Sequence, residues 1–233
     1  MKDKLLSAAI LAVGIIIMGL CLKAGMDNFT EKDRKVTVKG LAEKEVKADK
    51  VTWPIVSKEL GNDLPELYNR IAGKQHAIKR FLIANGISDK EITVNAPQVV
   101  DLSADQYSEN RREYRYNVTL VITVTSSHVD RVRGIIARQG ELLKQGVAIV
   151  SGDYNNQLTY SLESFKAMKP KMMTEAIENA EQTARQFAKN SKSKLNKIVS
   201  ADQGQFSIDD RDANTPWIKR VRVVTTVTYS LKD

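Results

Sequence analysis

Residues 114–124 read YRYNVTLVITV, with Tyr114, Tyr116, Val118, Leu120, Ile122 and Val124 at every second position. A period of two sends successive side chains to opposite faces of a strand, so this is the longest predicted strand of the chain. Upstream lies a polar loop from Ser103 to Arg112, and before it Ile92, Val94, Ala96 and Val100 alternate as a further strand. Leu64, Leu67, Ile71, Ile78 and Leu82 recur at helical spacing, and Asn85-Gly86 supplies a left-handed stop. Val36, Val38 and Val46 around Gly40, then Val51, Trp53 and Ile55, predict two more strands. Pro54 has no amide proton to give a ladder, which assigns the second of these to an edge or a bulge.

Downstream, Ser127 and Asp130 are spaced as a capping box, and Val129, Val132, Ile136 and Leu143 carry a second helix to Gly146. Val147–Val150 and Leu158–Leu162 read as a hairpin turning through Gly152-Asp153 and Asn155-Asn156. A third helix starts at Lys169-Pro170, with Met173, Ile177, Ala180, Ala184 and Phe187 as its stripe and Glu181–Arg185 as an exposed pair. Strands at Leu195–Val199 and Val221–Leu231 close the chain. The fold class is therefore α+β, antiparallel sheets with three helices packed on them, and a strand-strand-helix-strand-strand block occurs twice, over 36–126 and 147–231. Such sheets leave edges, and uncovered edges favour self-association.

The amino terminus sets a compartment. Leu5–Leu22 reads LLSAAILAVGIIIMGLCL, eighteen uncharged residues that as a helix would span about 27 Å, near the thickness of a bilayer core. A peptidase site wants small residues at both the minus-three and minus-one positions, but the candidates pair Ala24 with Leu22 or Gly25 with Lys23, so retention as a signal anchor is preferred to cleavage. Cys21 reads as an apolar-like helix residue, and Lys2 and Lys4 favour the short end in the cytoplasm. The expected organisation is an anchor over 1–25, a linker over 26–35 and one α+β domain over 36–233. That arrangement places a single-pass protein in a bacterial inner membrane with its carboxy-terminal domain in the periplasm.

The 233 residues carry 42% hydrophobic and 27% charged side chains, an ordinary globular mixture. One cysteine and two histidines leave no material for a disulfide framework or a thiolate or multi-histidine metal centre. Of the net charge of +8, residues 1–25 carry +2, and the remaining +6 is spread over linker, helix ends and strand faces rather than gathered into a stripe, which fits anionic envelope surfaces at least as well as nucleic acid. Lys189, Lys192, Lys194 and Lys197 oppose a helix dipole, and Tyr114, Tyr116 and Tyr229 fall on apolar strand faces as core. No phosphate loop or nucleophile elbow occurs. His76 and His128 read as solvated, and Asp209-Asp210-Arg211-Asp212 as an acidic turn lacking the ligand spacing of a calcium loop. No catalytic, cofactor or metal residue is assigned.

Three stretches carry a resemblance. VTVKGLAEKEVKADKV (36–51) has Gly40, Ala42, Val46 and Asp49 at spaced positions; GISDKEITVNAPQV (86–99) passes from a glycine through a threonine into a strand; and MMTEAIENAEQTARQFAKNSKSKLNKIVS (172–200) is an alanine-spaced helix. Together they resemble the SIMPL-domain family of bacterial periplasmic and outer-envelope proteins, some linked to oxidative-stress defence. The resemblance implies an α+β envelope protein that tends to oligomerise and carries no agreed catalytic residue. The expected function is a non-enzymatic, self-assembling or partner-binding module in envelope maintenance or stress response. Its expected partners are the bilayer through residues 5–22, further copies of itself and an envelope protein. The alternative is an envelope hydrolase or lyase whose carboxylates meet only in the fold, Asp49 with Asp101 or Asp153.

Overall fold

A computed structural model describes residues 11–23, 25, 34–104, 113–150 and 154–232. Residues 11–23 form a helix, α1, with Leu11, Ile15, Ile16 and Leu20 exposed. Among the described residues no helix is long and apolar enough to cross a membrane, and the predicted span Leu5–Leu22 lies partly outside them. The rest is α+β and divides into two compact units. One comprises residues 1–44, 167–209 and 220–233, the other residues 45–166 and 210–219.

The second of these units is built on strands β2 (Lys50–Gly61) and β5 (Tyr116–Ser126), antiparallel in a register that runs from Val51 opposite Ser126 to Gly61 opposite Tyr116. β6 (Thr159–Ser161) flanks β2, while β3 (Ile92–Val94) and β4 (Gln98–Asp101) flank β5. Val51, Trp53 and Ile55 with Val118, Leu120, Ile122 and Val124 bury one face of the sheet. Leu67, Ile71, Ile78 and Leu82 of helix α2 (Leu64–Ala84), Val132 and Ile135 of α3 (Val129–Ala137) and Leu142 of α4 (Gly140–Lys144) belong to the same core. Asp63 caps α2 by accepting from the Glu66 amide at 2.9 Å. Gly86 and Gly146 take positive φ just past α2 and α4. In each case the following residue, Ile87 or Val147, donates back to a carbonyl of the last turn and is buried.

The other unit is a sheet in which β9 (Ile218–Lys232) lies between β1 (Lys35–Lys47) and β7 (Lys194–Gln203), with β8 (Ser207–Asp210) also on β9. Helix α5 (Phe165–Asn190) buries Met172, Ala176, Ala180, Ala184 and Ala188, a four-residue repeat of mostly small side chains. Smallness is matched on β1: a Cβ on Gly40 would lie 1.9 Å from the Ala176 carbonyl oxygen, so helix and strand approach backbone to backbone.

Several expectations give way. The second helix is two, interrupted at Arg138-Gln139 before Gly140, a weak helix former. The strand over 92–100 breaks into β3 and β4 at Pro97, which has no amide to donate. Among the described residues 147–150 do not pair with 158–162: β6 pairs with β2, and Val150 donates to the Val56 carbonyl; Gly152-Asp153 lies outside the described residues. Pro54 pairs with Thr123 on one side, beyond the reach of β6 on the other, as an edge proline should. α5 begins at Phe165, so Pro170 lies inside it, and its stripe runs through Ala176, Ala180 and Ala184 while Ile177 and Phe187 stay exposed. The twofold block is not a structural unit either, since β1 joins the sheet of β7 and β9 while β6 joins that of β2 and β5.

Candidate functional site

The β2–β5 unit carries a polar cleft of about 470 Å³ lined by Asp49, Lys50, Glu91, Thr125, Ser126, Ser127 and Glu163. It forms where the turn before β2, the end of β5, the link from β6 into α5 and a 3-10 turn at Asp89–Glu91 converge. Three carboxylates meet there, and each is already engaged. Asp49 accepts from the backbone amides of Glu163 and Ser164, both at 2.7 Å, and gives its own amide to the Ser161 carbonyl. Partial burial pushes the Asp49 carboxyl up, but the Ser164 side chain and these amides outweigh it and hold it below the ordinary range. Glu163 is clasped by Lys50 at 2.6 Å.

Glu91 closes a true capping box: Ser88 accepts from within the 3-10 turn while the Glu91 side chain receives the Ser88 amide at 2.9 Å. Its other oxygen accepts from the Ser126 hydroxyl at 2.5 Å, with His128 Nδ1 3.7 Å away. The Ser126 bond first, then the Ser88 amide, hold Glu91 below its usual range. Ser126 also accepts the His128 amide at 3.0 Å, and this replaces the box expected from Ser127 and Asp130. His128 is itself the N-cap of α3 and makes no side-chain cap bond.

Lowered carboxylates are the reverse of what a general acid needs, because proton donation near neutrality requires a raised pKa. The expected partnership of Asp49 with Asp101 does not form. Asp101 pairs with Tyr116 at one end of β5 and Asp49 neighbours its other end at Ser126, so about 30 Å of strand separates them. Arg115, at 3.0 and 3.1 Å, holds the Asp101 carboxyl down to about 2, with help from Ser103. Asp153 lies outside the described residues.

The remaining sequence candidates are structural. His76 is exposed. In the acidic turn, Asp212 accepts from Asn214 and Thr215 amides at 2.8 Å and is held at about 2 chiefly by the Thr215 hydroxyl, while Asp210 pairs with Lys219. Among the described residues no group of three or more His, Cys, Asp or Glu is arranged to hold a metal ion. Tyr229 is buried and Tyr116 half-buried as expected, but Tyr114 stands exposed, beyond the start of β5. Of the cleft residues, sequence reading names only Asp49 as a site candidate, and Ser127 only as a helix cap. Glu91 had a usable signal in the Ser88-x-x-Glu91 spacing, whereas Lys50 and Glu163 meet across 113 residues and leave no local trace.

In the other unit the notable feature is β7. All its residues but Leu195 are exposed, with Ile198 and Val199 at 54% and 50%, and among the described residues it pairs only with β9. The other outer strand is treated differently: at Leu41 of β1 the amide donates to Asn179 Oδ1 of α5 at 3.1 Å.

A protein-family model described as SIMPL, Protein of unknown function (DUF541), matches residues 36–229. No curated protein matches the chain.

Proposed function

The chain belongs to the SIMPL (DUF541) family, and on that premise we propose that it is a non-enzymatic, self-assembling module of the cell envelope. In this reading the apolar amino-terminal segment holds it at the inner membrane, the domain faces the periplasm, and its task is envelope maintenance or stress response through further copies and an envelope protein. The observation that carries the reading is β7, a ten-residue strand exposed on both faces with one edge unpaired among the described residues. Strand edges of that length are templates for pairing unless they are shielded. The cleft supports the same reading from the other side, because Asp49 and Glu91 are spent on capping backbone amides and Glu163 on Lys50.

Light scattering on the purified full chain in detergent, after subtraction of the micelle, tests it. A mass of two or more copies at micromolar concentration is expected, and a strict monomer across that range would overturn self-assembly.

A further inference from the structure

We propose that the open edge of β7 is the seat of a two-fold association between copies of this chain, with Ile198 on the axis and Lys194 of each copy opposite Asp202 of the other. The proposal rests on the self-assembly reading above and names its surface and register.

A strand that pairs antiparallel with its own copy does so about an axis normal to the sheet, so opposed residues are equidistant from one central residue. That leaves few registers to compare. Centring on Lys197 sets two lysines against each other, and like charges directly opposite repel. Centring on Val199 sends Lys194 past the end of the strand and puts Asp202 opposite Asn196. Centring on Ile198 places Lys194 and Asp202, each four residues from the axis, in opposition twice, and it sets Lys197 beside uncharged Val199. Lys194, Lys197 and Asp202 are exposed, and neither Lys194 nor Asp202 has an ionic partner among the described residues.

The lysines also explain why the edge is selective. Lysine on an edge strand deters a passing strand, which leaves its charge uncompensated, but a second β7 brings a carboxylate to the right place. At the centre Ile198 and Val199 offer apolar surface, about half of each still accessible, that the pairing would cover.

β7 is not flat. Its register against β9 slips between Leu195 and Ile198 and again between Ile198 and Ser200. The slack is taken up toward β9, where Asn196 donates to the Ser230 hydroxyl and that hydroxyl donates to the Lys197 carbonyl, both at 3.2 Å.

The test uses the full chain in detergent with Cys21→Ser as background. Ile198→Cys should give a disulfide-linked dimer on mild oxidation with diamide, since opposed Cα atoms across a ladder lie about 4.5–5.5 Å apart, within disulfide reach. Lys194→Cys should not, because its two copies would be separated by about 26 Å of strand. Independently of cysteine chemistry, Lys194→Asp or Asp202→Lys alone should weaken association by roughly tenfold, and the double reversal should restore it. Equal crosslinking at 194 and 198, or single reversals that leave the mass unchanged, would overturn this interface while an oligomeric mass kept the self-assembly reading intact. A monomer under all conditions would remove both.

Discussion

Gly40 and Lys192 show two opposite ways in which one residue sets local energy. At Gly40 the sheet and α5 touch through backbone, the Ala180 amide nitrogen as well as the Ala176 carbonyl lying inside the space a methyl would take. Neither atom belongs to a flexible side-chain end, so the cost of Gly40→Ala is displacement of the helix, at least ~2 kcal/mol. Denaturant unfolding should show a clear fall in midpoint; an unchanged midpoint would mean that the helix shifts freely. Lys192 is the converse case. Its φ of 55° places a side-chain-bearing residue in the left-handed position after α5, with Lys192 and Ser193 amides returning to the Lys189 and Ala188 carbonyls. Glycine adopts that conformation without the Cβ penalty, although it gains more freedom on unfolding. Lys192→Gly should therefore stabilise by about 0.5–1 kcal/mol, read as a rise in unfolding midpoint with unchanged far-ultraviolet dichroism.

At the scale of elements, the join between β6 and α5 depends on a residue more than a hundred positions away. The first amides of a helix have no intrahelical acceptor, and here the Glu163 and Ser164 amides, just ahead of Phe165, turn to Asp49. Asp49→Ala strands both and should cost about 1–2 kcal/mol. Because the folded carboxyl lies below its unfolded value, its contribution is complete above the ordinary carboxylate range and disappears as pH falls through the lowered folded value. The gap between wild type and Asp49→Ala in unfolding midpoint should be full at pH 7 and close below about pH 4; a gap that persists in acid would refute the carboxylate's role. This element also shows where sequence reading succeeds. Periodicity found α2, β5 and the Gly86 stop because their determinants are local, and the spaced Gly40 and Asp49 were noticed as a pattern. The partners of both residues were invisible, since Ala176 and Glu163 approach them only through tertiary pairing. In the α5 stripe Ala180 and Ala184 are buried as expected, but the larger Met173, Ile177 and Phe187 give place to Met172, Ala176 and Ala188 beside them, because a helix lying on a glycine-bearing strand needs mostly small side chains.

For the molecule as a whole, chain order and compact units do not coincide. The backbone passes between the two units after residues 44, 166, 209 and 219, so the short return Asp210–Lys219 belongs to the unit of β2 and β5 although both neighbouring stretches belong to the other. Within its unit that return is built in through Trp217. The Trp217 carbonyl accepts the Ala48 amide at 2.8 Å, its ring meets Tyr160 edge-on at 6.4 Å, and Arg133 of α3 lies over it at 3.5 Å. Trp217 also packs against the core that contains Ile55 and Leu120. A half-buried tryptophan removed from such a place should cost about 2 kcal/mol, less than a fully buried one, with up to about 1 kcal/mol of it due to the arginine. Trp217→Ala is thus expected to accelerate amide exchange in β6 and α3, more than fifty residues away in sequence, and Arg133→Ala should reproduce a smaller part of that change. If exchange quickens only within 210–219, the return is an appendage. If it quickens in β6 and α3, a chain ending at residue 166 lacks a piece of its own core, and the β2–β5 unit requires the far end of the sequence to reach full stability.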